Sequence, residues 1–285
     1  MIVGKANGGL GNQFFKYAAL KALAIKHDTD IGLDLTPLKG NSKESHFRRK
    51  FKLANFNVEF EEVSLKKMKE YIWITGNKYI DDYIIQKFKL FEKNAWYDND
   101  NIDEFKSQSN DVCLLGFFIN PKYFEGLRDV FVKEFVLKDQ EKIKPLLDDI
   151  KKSEYSVSVH VRRGDLLKSD GRGYVLPKSY YQTAMDHICS KVEWPKFYFF
   201  SDDIEWCKEN FGHDMNDVTF VEGNDVSEDF ELMKNCKHNI LANSSLSWWV
   251  AYLNENYPIV VCPSYFNTHL GSDKHLQLKE WTELV

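Results

Sequence analysis

The 285-residue chain contains no run of ~18 apolar residues, the length a helix needs to cross a bilayer. Its amino terminus, Met1-Ile2-Val3-Gly4-Lys5, carries no basic segment followed by an apolar run and does not read as a signal peptide. The five cysteines, Cys113, Cys189, Cys207, Cys236 and Cys262, are scattered, odd in number and without a Cys-x-x-Cys spacing. A disulfide framework or zinc site is therefore not expected, and a reducing compartment fits. Excess positive charge is also missing. A formal net charge of −5 argues against general nucleic-acid binding, so an anionic substrate has to be met by a local basic cluster. There is no internal repeat, no low-complexity tract and no Walker A loop. These absences point to a cytoplasmic protein. Peripheral membrane contact at its inner face is left open by Phe47, Arg48, Arg49, Lys50 and Phe51, a patch that reads first as a solvated face.

What is present is ample material for a core: 43% hydrophobic and 15% aromatic residues. Ile2-Val3 reads as a strand, Asn7 to Gln13 as a glycine-rich turn, and Phe14, Phe15, Ala18, Ala19, Ala22, Leu23 and Ile25 as the apolar face of a helix. Residues 31–35 read as the next strand. Strand, turn, helix, strand is the unit of a parallel sheet. The pattern loosens over residues 41–110, which read as a helical and loop insertion. A strand over 112–118 and a helix over 141–152 follow. Beyond Glu154 strands over 155–161, 197–200, 218–221, 238–242 and 259–261 alternate with helices over 178–190, 204–211, 228–236 (capped by Ser227) and 245–254. The expected fold is α/β, with two Rossmann-like domains facing across a cleft, residues 1–153 and 154–285.

Four motifs fall at predicted strand ends, where open α/β sheets bind ligands. His160-Val161-Arg162-Arg163-Gly164-Asp165 brings out a histidine, two arginines and an aspartate together. A guanidinium is a planar fork of donors that stays charged and fits a phosphate, although a solvated arginine pair is the plain alternative. Gly8, Gly9 and Gly11 allow close backbone approach but lack the Gly-x-Gly-x-x-Gly spacing of dinucleotide binding. Asp202 and Asp203 either cap the helix that follows or, for one of them, reach a ligand. Asn243, Ser244, Ser245 and Ser247 precede or open a helix whose free N–H groups suit an anion, with capping alone as the alternative. Arginines at one strand end and a serine-capped helix at another would together suit a diphosphate.

In these motifs the chain resembles the family 11 glycosyltransferases, the α-1,2-fucosyltransferases. The resemblance rests on Gly8-Gly9-Leu10-Gly11-Asn12-Gln13, on His160 to Asp165, on Phe200-Ser201-Asp202-Asp203, and on Asn243-Ser244-Ser245-Leu246-Ser247-Trp248-Trp249 with the residues after it. Leu246 departs from the family, where Phe is common at this point. The resemblance implies a GT-B fold, a GDP-β-L-fucose donor, inversion, no cofactor or metal, and attack by the 2-hydroxyl of a terminal β-galactose. It makes residues 1–153 the acceptor side and 154–285 the GDP-sugar side. It implies that Arg162 meets the β-phosphate, with His160, Arg163, Asp202, Asp203, Asn243, Ser244, Ser245 and Ser247 around the donor. Gly9, Asn12 and Gln13 would lie near the fucose. Asp165 is the candidate base, with pairing to Arg163 or Arg162 as its plain alternative, and Asp34 is the lesser candidate. Other expectations considered are transfer of another GDP-activated deoxyhexose, a nicotinamide-dependent oxidoreductase, and a catalytically silent sugar-binding protein.

Overall fold

The computed structural model describes residues 1–39, 50–72, 94–164, 166–167, 174–212, 217–266 and 274–284. Asp165, Phe47, Arg48 and Arg49 lie outside them. The chain divides into two compact units, Met1–Phe135 and Val136–Val285.

The first unit is built on β1 (Ile2–Lys5), β2 (Ile31–Asp34), β3 (Glu61–Glu62), β4 (Ala95–Tyr97) and β5 (Val112–Leu115). They form one sheet in the order β3-β2-β1-β5-β4, and every pair is parallel. Helix α1 (Leu10–His27) carries most of the predicted apolar face, with Phe14, Phe15, Ala18, Ala19 and Leu23 buried, but Ile25, in its last turn, is exposed. It begins at Leu10, so most of the expected glycine turn is its first turn. Asp28 ends it in the left-handed conformation, its N–H donating to the Ala24 and Ile25 carbonyls. A helical turn α2 (Thr36–Lys39) follows β2, and α3 (Leu65–Tyr71) and α4 (Ile102–Lys106) flank the edge strands. The expected insertion is therefore corrected. Its described residues supply both edge strands, β3 and β4, because backbone pairing to β2 and β5 orders segments that lack a period of their own. Helix α5 (Arg128–Glu134) closes the unit.

The aromatic content goes into this core. Phe14 stacks on Phe135 with centroids 4.1 Å apart, and Phe105, Phe118, Trp96 and Tyr123 form a second cluster. Gly116, directly after β5, has φ +131°, and a Cβ there would overlap the Cβ of Asp98. Asp98 cannot step aside. Its carboxylate accepts from Phe118 N–H (2.6 Å) and from the Tyr123 hydroxyl (2.6 Å), and the residue is 6% exposed.

The second unit opens with α6 (Lys144–Lys152), expected at the end of the first domain but packed here on α9. Strands β6 (Ser156–Val161), β7 (Lys196–Ser201), β8 (Val218–Phe220), β9 (His238–Ile240), β10 (Val260–Pro263) and β11 (Thr282–Leu284) make a parallel sheet in the order β11-β10-β9-β6-β7-β8. Helices α7 (Lys178–Cys189) and α8 (Ile204–Phe211) cover one face, where Tyr181, Ile188 and Phe211 meet Val157, Val159, Val161 and Phe199. The remaining helices are α9 (Val226–Asn235) and α10 (Ser245–Leu253), which pack on each other. Ser156, Ser158 and His160 alternate with the valines of β6 yet are buried as well. Burial of both faces is the normal state of a parallel sheet, and the polar side is satisfied internally. Asn239 Nδ2 donates to Ser158 Oγ (2.8 Å), and Asn254 Nδ2 donates to Asn239 Oδ1 (2.8 Å).

The expected Ser227 cap is corrected too. Asp225 caps α9 in a reciprocal box with Glu228, while Ser227 is fully buried. Cys113, Cys207, Cys236 and Cys262 are buried free thiols and Cys189 is an exposed one. Among the described residues no helix is long and apolar enough to cross a membrane.

Candidate functional site

The strand order fixes where a ligand should meet the second unit. From β6 the chain runs outward through β7 and β8, then returns to the other side of β6 for β9. The point of reversal lies between the carboxyl ends of β6 and β9, which is where open α/β sheets bind ligands. His160 and Val161 end β6 and are followed by Arg162 and Arg163; Asn243 and Ser244 follow β9 and lead into α10. The second and fourth motifs of the sequence are thus brought to one switch point.

The two arginines do different things. Arg162 Nη1 pairs with Asp202 Oδ2 at 3.1 Å, and its side chain is 23% exposed. Arg163 turns away: its Nε meets Asp203 Oδ2 at 3.0 Å and its guanidinium lies 4.0 Å from the centroid of Trp206. That double hold is a positioning arrangement, a salt bridge backed by a cation–π contact. Trp206 was not singled out in the sequence; the signal available was an aromatic in the first turn of the helix after the aspartate pair. Capping by the aspartates is corrected: the Asp203 side chain makes no capping bond to α8, and Ser201 Oγ accepts the Asp203 N–H instead (2.9 Å). Asp202 spends Oδ1 on the N–H groups of Arg163 (2.9 Å) and Gly164 (3.1 Å). Gly164 is needed for that approach, since a Cβ would sit 2.8 Å from Asp202 Oδ2. One carboxylate therefore holds the loop after β6 and aims the Arg162 side chain.

His160 is buried, and its Nδ1 is bonded to the Ser247 hydroxyl, which also accepts the Ala242 N–H (3.2 Å). Ser247 is fully buried and engaged by these groups. Its expected place on a phosphate is corrected to a tie between the end of β6 and the first turn of α10. Burial first, and the Arg162 charge second, push the His160 pKa down to about 4, against a smaller opposite pull from Asp202. The imidazole is neutral near pH 7. Because the unfolded chain binds this proton near 6.5 and the folded one only near 4, stability falls as pH drops through that window. In thermal melts, His160→Gln is expected to shrink the difference in Tm between pH 7.5 and pH 5. An unchanged difference would remove His160 as a contributor.

Ser244 caps α10, its Oγ accepting from Leu246 N–H (3.2 Å), and Ser245 is the first helical residue. Asn243 is 2% exposed; its Nδ2 donates to the Tyr174 carbonyl (2.7 Å), and its buried Oδ1 has no hydrogen-bond partner among the described residues. A helix start with its dipole, together with the Arg162 charge after the neighbouring strand, suits an anionic group.

In the first unit the switch point lies between β1 and β5. Gly9 is the N-cap residue of α1, and Asn12 lies in its first turn, half-buried. Gln13 departs from the expectation that it faces a sugar. Its Nε2 donates to the carbonyls of Gly8 (3.1 Å) and Lys50 (2.9 Å), and its Oε1 accepts from the N–H groups of Lys52 (3.0 Å) and Leu53 (3.2 Å). Two donors and two acceptor sites are all that an amide has, so Gln13 staples the 50–53 backbone to α1. Asp34 is 1% exposed and its Oδ1 accepts the Thr36 N–H (2.9 Å). Among the described residues no group of three or more His, Cys, Asp or Glu side chains is placed to hold a metal ion.

Comparison with known proteins covers nearly the whole chain. The pattern of glycosyl transferase family 11 matches residues 3–285. The chain is 33% identical to an alpha-1,2-colitosyltransferase of Escherichia coli over 93% of its own length and 91% of that protein's. It is 34% identical to human galactoside alpha-(1,2)-fucosyltransferase 1 over 49% of this chain and 42% of that one. The fold is shared with the fucosyltransferase NodZ from Bradyrhizobium at a TM-score of 0.54 and 13% identity, covering 87% and 91% of the two chains.

Proposed function

We propose, since the chain belongs to glycosyl transferase family 11, that it transfers L-fucose from GDP-β-L-fucose to the 2-hydroxyl of a terminal β-galactose, with inversion and without a metal. The observation that carries this reading is the Arg162–Asp202 pair at the switch point of the second unit. As the bond from fucose to GDP breaks, negative charge builds on the β-phosphate. A guanidinium already held by Asp202 stabilises that charge more in the transition state than in the ground state, which is what accelerates the step. The Ser244-capped start of α10 supports the same anion through its N–H groups. Neutral His160 and Ser247 fix the loops that carry these groups. The proton of the attacking hydroxyl goes to a carboxylate or to the leaving diphosphate. Asp34 suits the first role poorly, being buried and bonded to Thr36.

A second donor is favoured by one finding. The Escherichia coli relative is named for colitose, a sugar that differs from fucose by lacking the 3-hydroxyl. The same site would hold the diphosphate of either donor. GDP release is the direct test, measured with GDP-fucose or GDP-colitose and lactose, with and without EDTA, and with the linkage read by NMR. An α-1,2-linked fucose formed in EDTA is the expected result. Turnover with GDP-colitose alone would replace the donor, and turnover with neither would overturn the proposal.

A further inference from the structure

The switch point of the first unit holds positive charge that the protein does not pair. Lys16, in the second turn of α1, is 2% exposed. Helical side chains lean toward the amino end of their helix. The Lys16 Nζ accordingly lies 5.3 Å from the centroid of Phe118, three residues past β5. Lys5 is the last residue of β1 and is half-buried. Among the described residues neither ammonium has a hydrogen-bond or ion-pair partner. Burial lowers the Lys16 pKa to about 8; Cys113 and Asp98 pull the other way, and repulsion from Lys5 adds to the fall.

The negative groups nearby are committed elsewhere. Asp98 accepts from Phe118 N–H through Oδ2 and from the Tyr123 hydroxyl through Oδ1. Asp34, opposite Lys5 in the register, accepts the Thr36 N–H. The Cys113 thiol is pushed by burial up to about 12 and is neutral near pH 7. The cluster is formally balanced, two lysines against two aspartates, but the carboxylates are bonded by the protein and the ammoniums are not. An ammonium carries three donors, and leaving them unmet in a buried place costs free energy that packing does not return. Two more unmet groups lie at the same end of the sheet. Asn7, two residues past β1, has a buried Oδ1 without a hydrogen-bond partner. Helix α1 starts from Gly9 with no side-chain cap and no acidic residue in its first turn, so the positive end of an 18-residue helix is left open.

We propose that the switch point of the first unit binds an acidic sugar residue of the acceptor, with its carboxylate or phosphate on Lys5 and Lys16 and one of its hydroxyls on Asn7. An oxyanion supplies the acceptors that the two ammoniums and the helix start lack. A hydroxyl supplies the donor that Asn7 Oδ1 lacks. A ligand with both groups is a sugar acid or a sugar phosphate. The inference rests on the proposed transfer to a galactoside and adds that the acceptor carries negative charge beside its galactose. The diphosphate of the donor has its own place at Arg162 in that reading, so this second anion is the acceptor's.

The test uses the full chain and calorimetric binding of galactosides that share a terminal β-galactose: neutral lactitol, lactobionate with its carboxylate, and lactose 1-phosphate. Wild type is expected to bind the better of the two charged probes about tenfold or more tighter than lactitol, and which of them wins names the oxyanion. Lys16→Met and Lys5→Gln are each expected to bring that ratio down to about twofold or less. The Tm of Lys16→Met is expected to hold or rise, because an unpaired buried ammonium gives way to an apolar chain of similar volume. Equal binding of all three probes by wild type, an unchanged ratio in Lys16→Met, or a lower Tm in that variant would each overturn the proposal. So would a loss in both variants confined to GDP-fucose binding, which would give the lysines to the donor. Binding is read without turnover, so failure of fucose transfer is seen separately and counts against the proposed function alone.

Discussion

Arg162→Ala is expected to lower kcat/KM on the order of a hundredfold or more while leaving the protein folded. The size follows from when the charge is needed. Bound donor already carries a diphosphate, but the additional charge appears only as the sugar leaves, so the loss should fall on kcat more than on KM. Folding survives because the Arg162–Asp202 pair is partly exposed and such pairs contribute about 0–1 kcal/mol. Asp202 also keeps its bonds to the Arg163 and Gly164 N–H groups. Arg162→Lys should recover only part of the rate, since an ammonium is a point charge without the planar fork. Arg163→Ala should behave differently, lowering Tm through loss of Asp203 and Trp206. Steady-state kinetics on folded protein decide this. Near-normal kcat in Arg162→Ala would end the assignment of Arg162 to the diphosphate.

Gly116→Ala is expected to be the most damaging single methyl, costing about 3–5 kcal/mol. Two penalties add there. The backbone at φ +131° is glycine territory, and the new Cβ would overlap Asp98. Relief by moving Asp98 would break its bonds to Phe118 N–H and the Tyr123 hydroxyl in a buried place. Gly126 supplies the control. It also has positive φ, +82°, but nothing lies within 4 Å of a Cβ there. Gly126→Ala should therefore cost only ~1 kcal/mol, from backbone strain alone. Urea unfolding of the two variants separates the terms. Equal losses would mean that the Asp98 contact contributes nothing.

Much of the second unit was legible in the sequence because its elements carry their own period. Helix α8 falls on the predicted residues 204–211, bounded by Asp203 and Gly212. The alternation through β6 was legible as a strand, but its meaning was not: the serines look solvent-facing and are buried in a network with Asn239 and Asn254. Strand β3 was illegible, since Glu61 and Glu62 are exposed and owe their conformation to pairing with β2. At the candidate site, the second and fourth motifs mark loops that the strand order brings to one switch point. They could not say that Arg163 turns to Asp203 and Trp206 while Arg162 is held by Asp202. Nor could they separate polar residues that offer bonds to a ligand from those saturated by the protein. Gln13 and Ser247 are of the second kind, and only tertiary contacts reveal it.

The strand orders also set a timetable for synthesis. In the second unit the central strand β6 emerges from the ribosome first, β7 and β8 extend it on one side, and β9, β10 and β11 then extend it on the other. Each new strand finds an open edge, and none has to wedge between two already in place. The first unit keeps this rule for β1, β2 and β3 but not for β4, whose partner β5 is made later. Trp96 must therefore wait, unpaired, until Leu114 arrives. During that interval β4 is an unpaired strand, and domains that fold as they are made are prone to mispair at such moments.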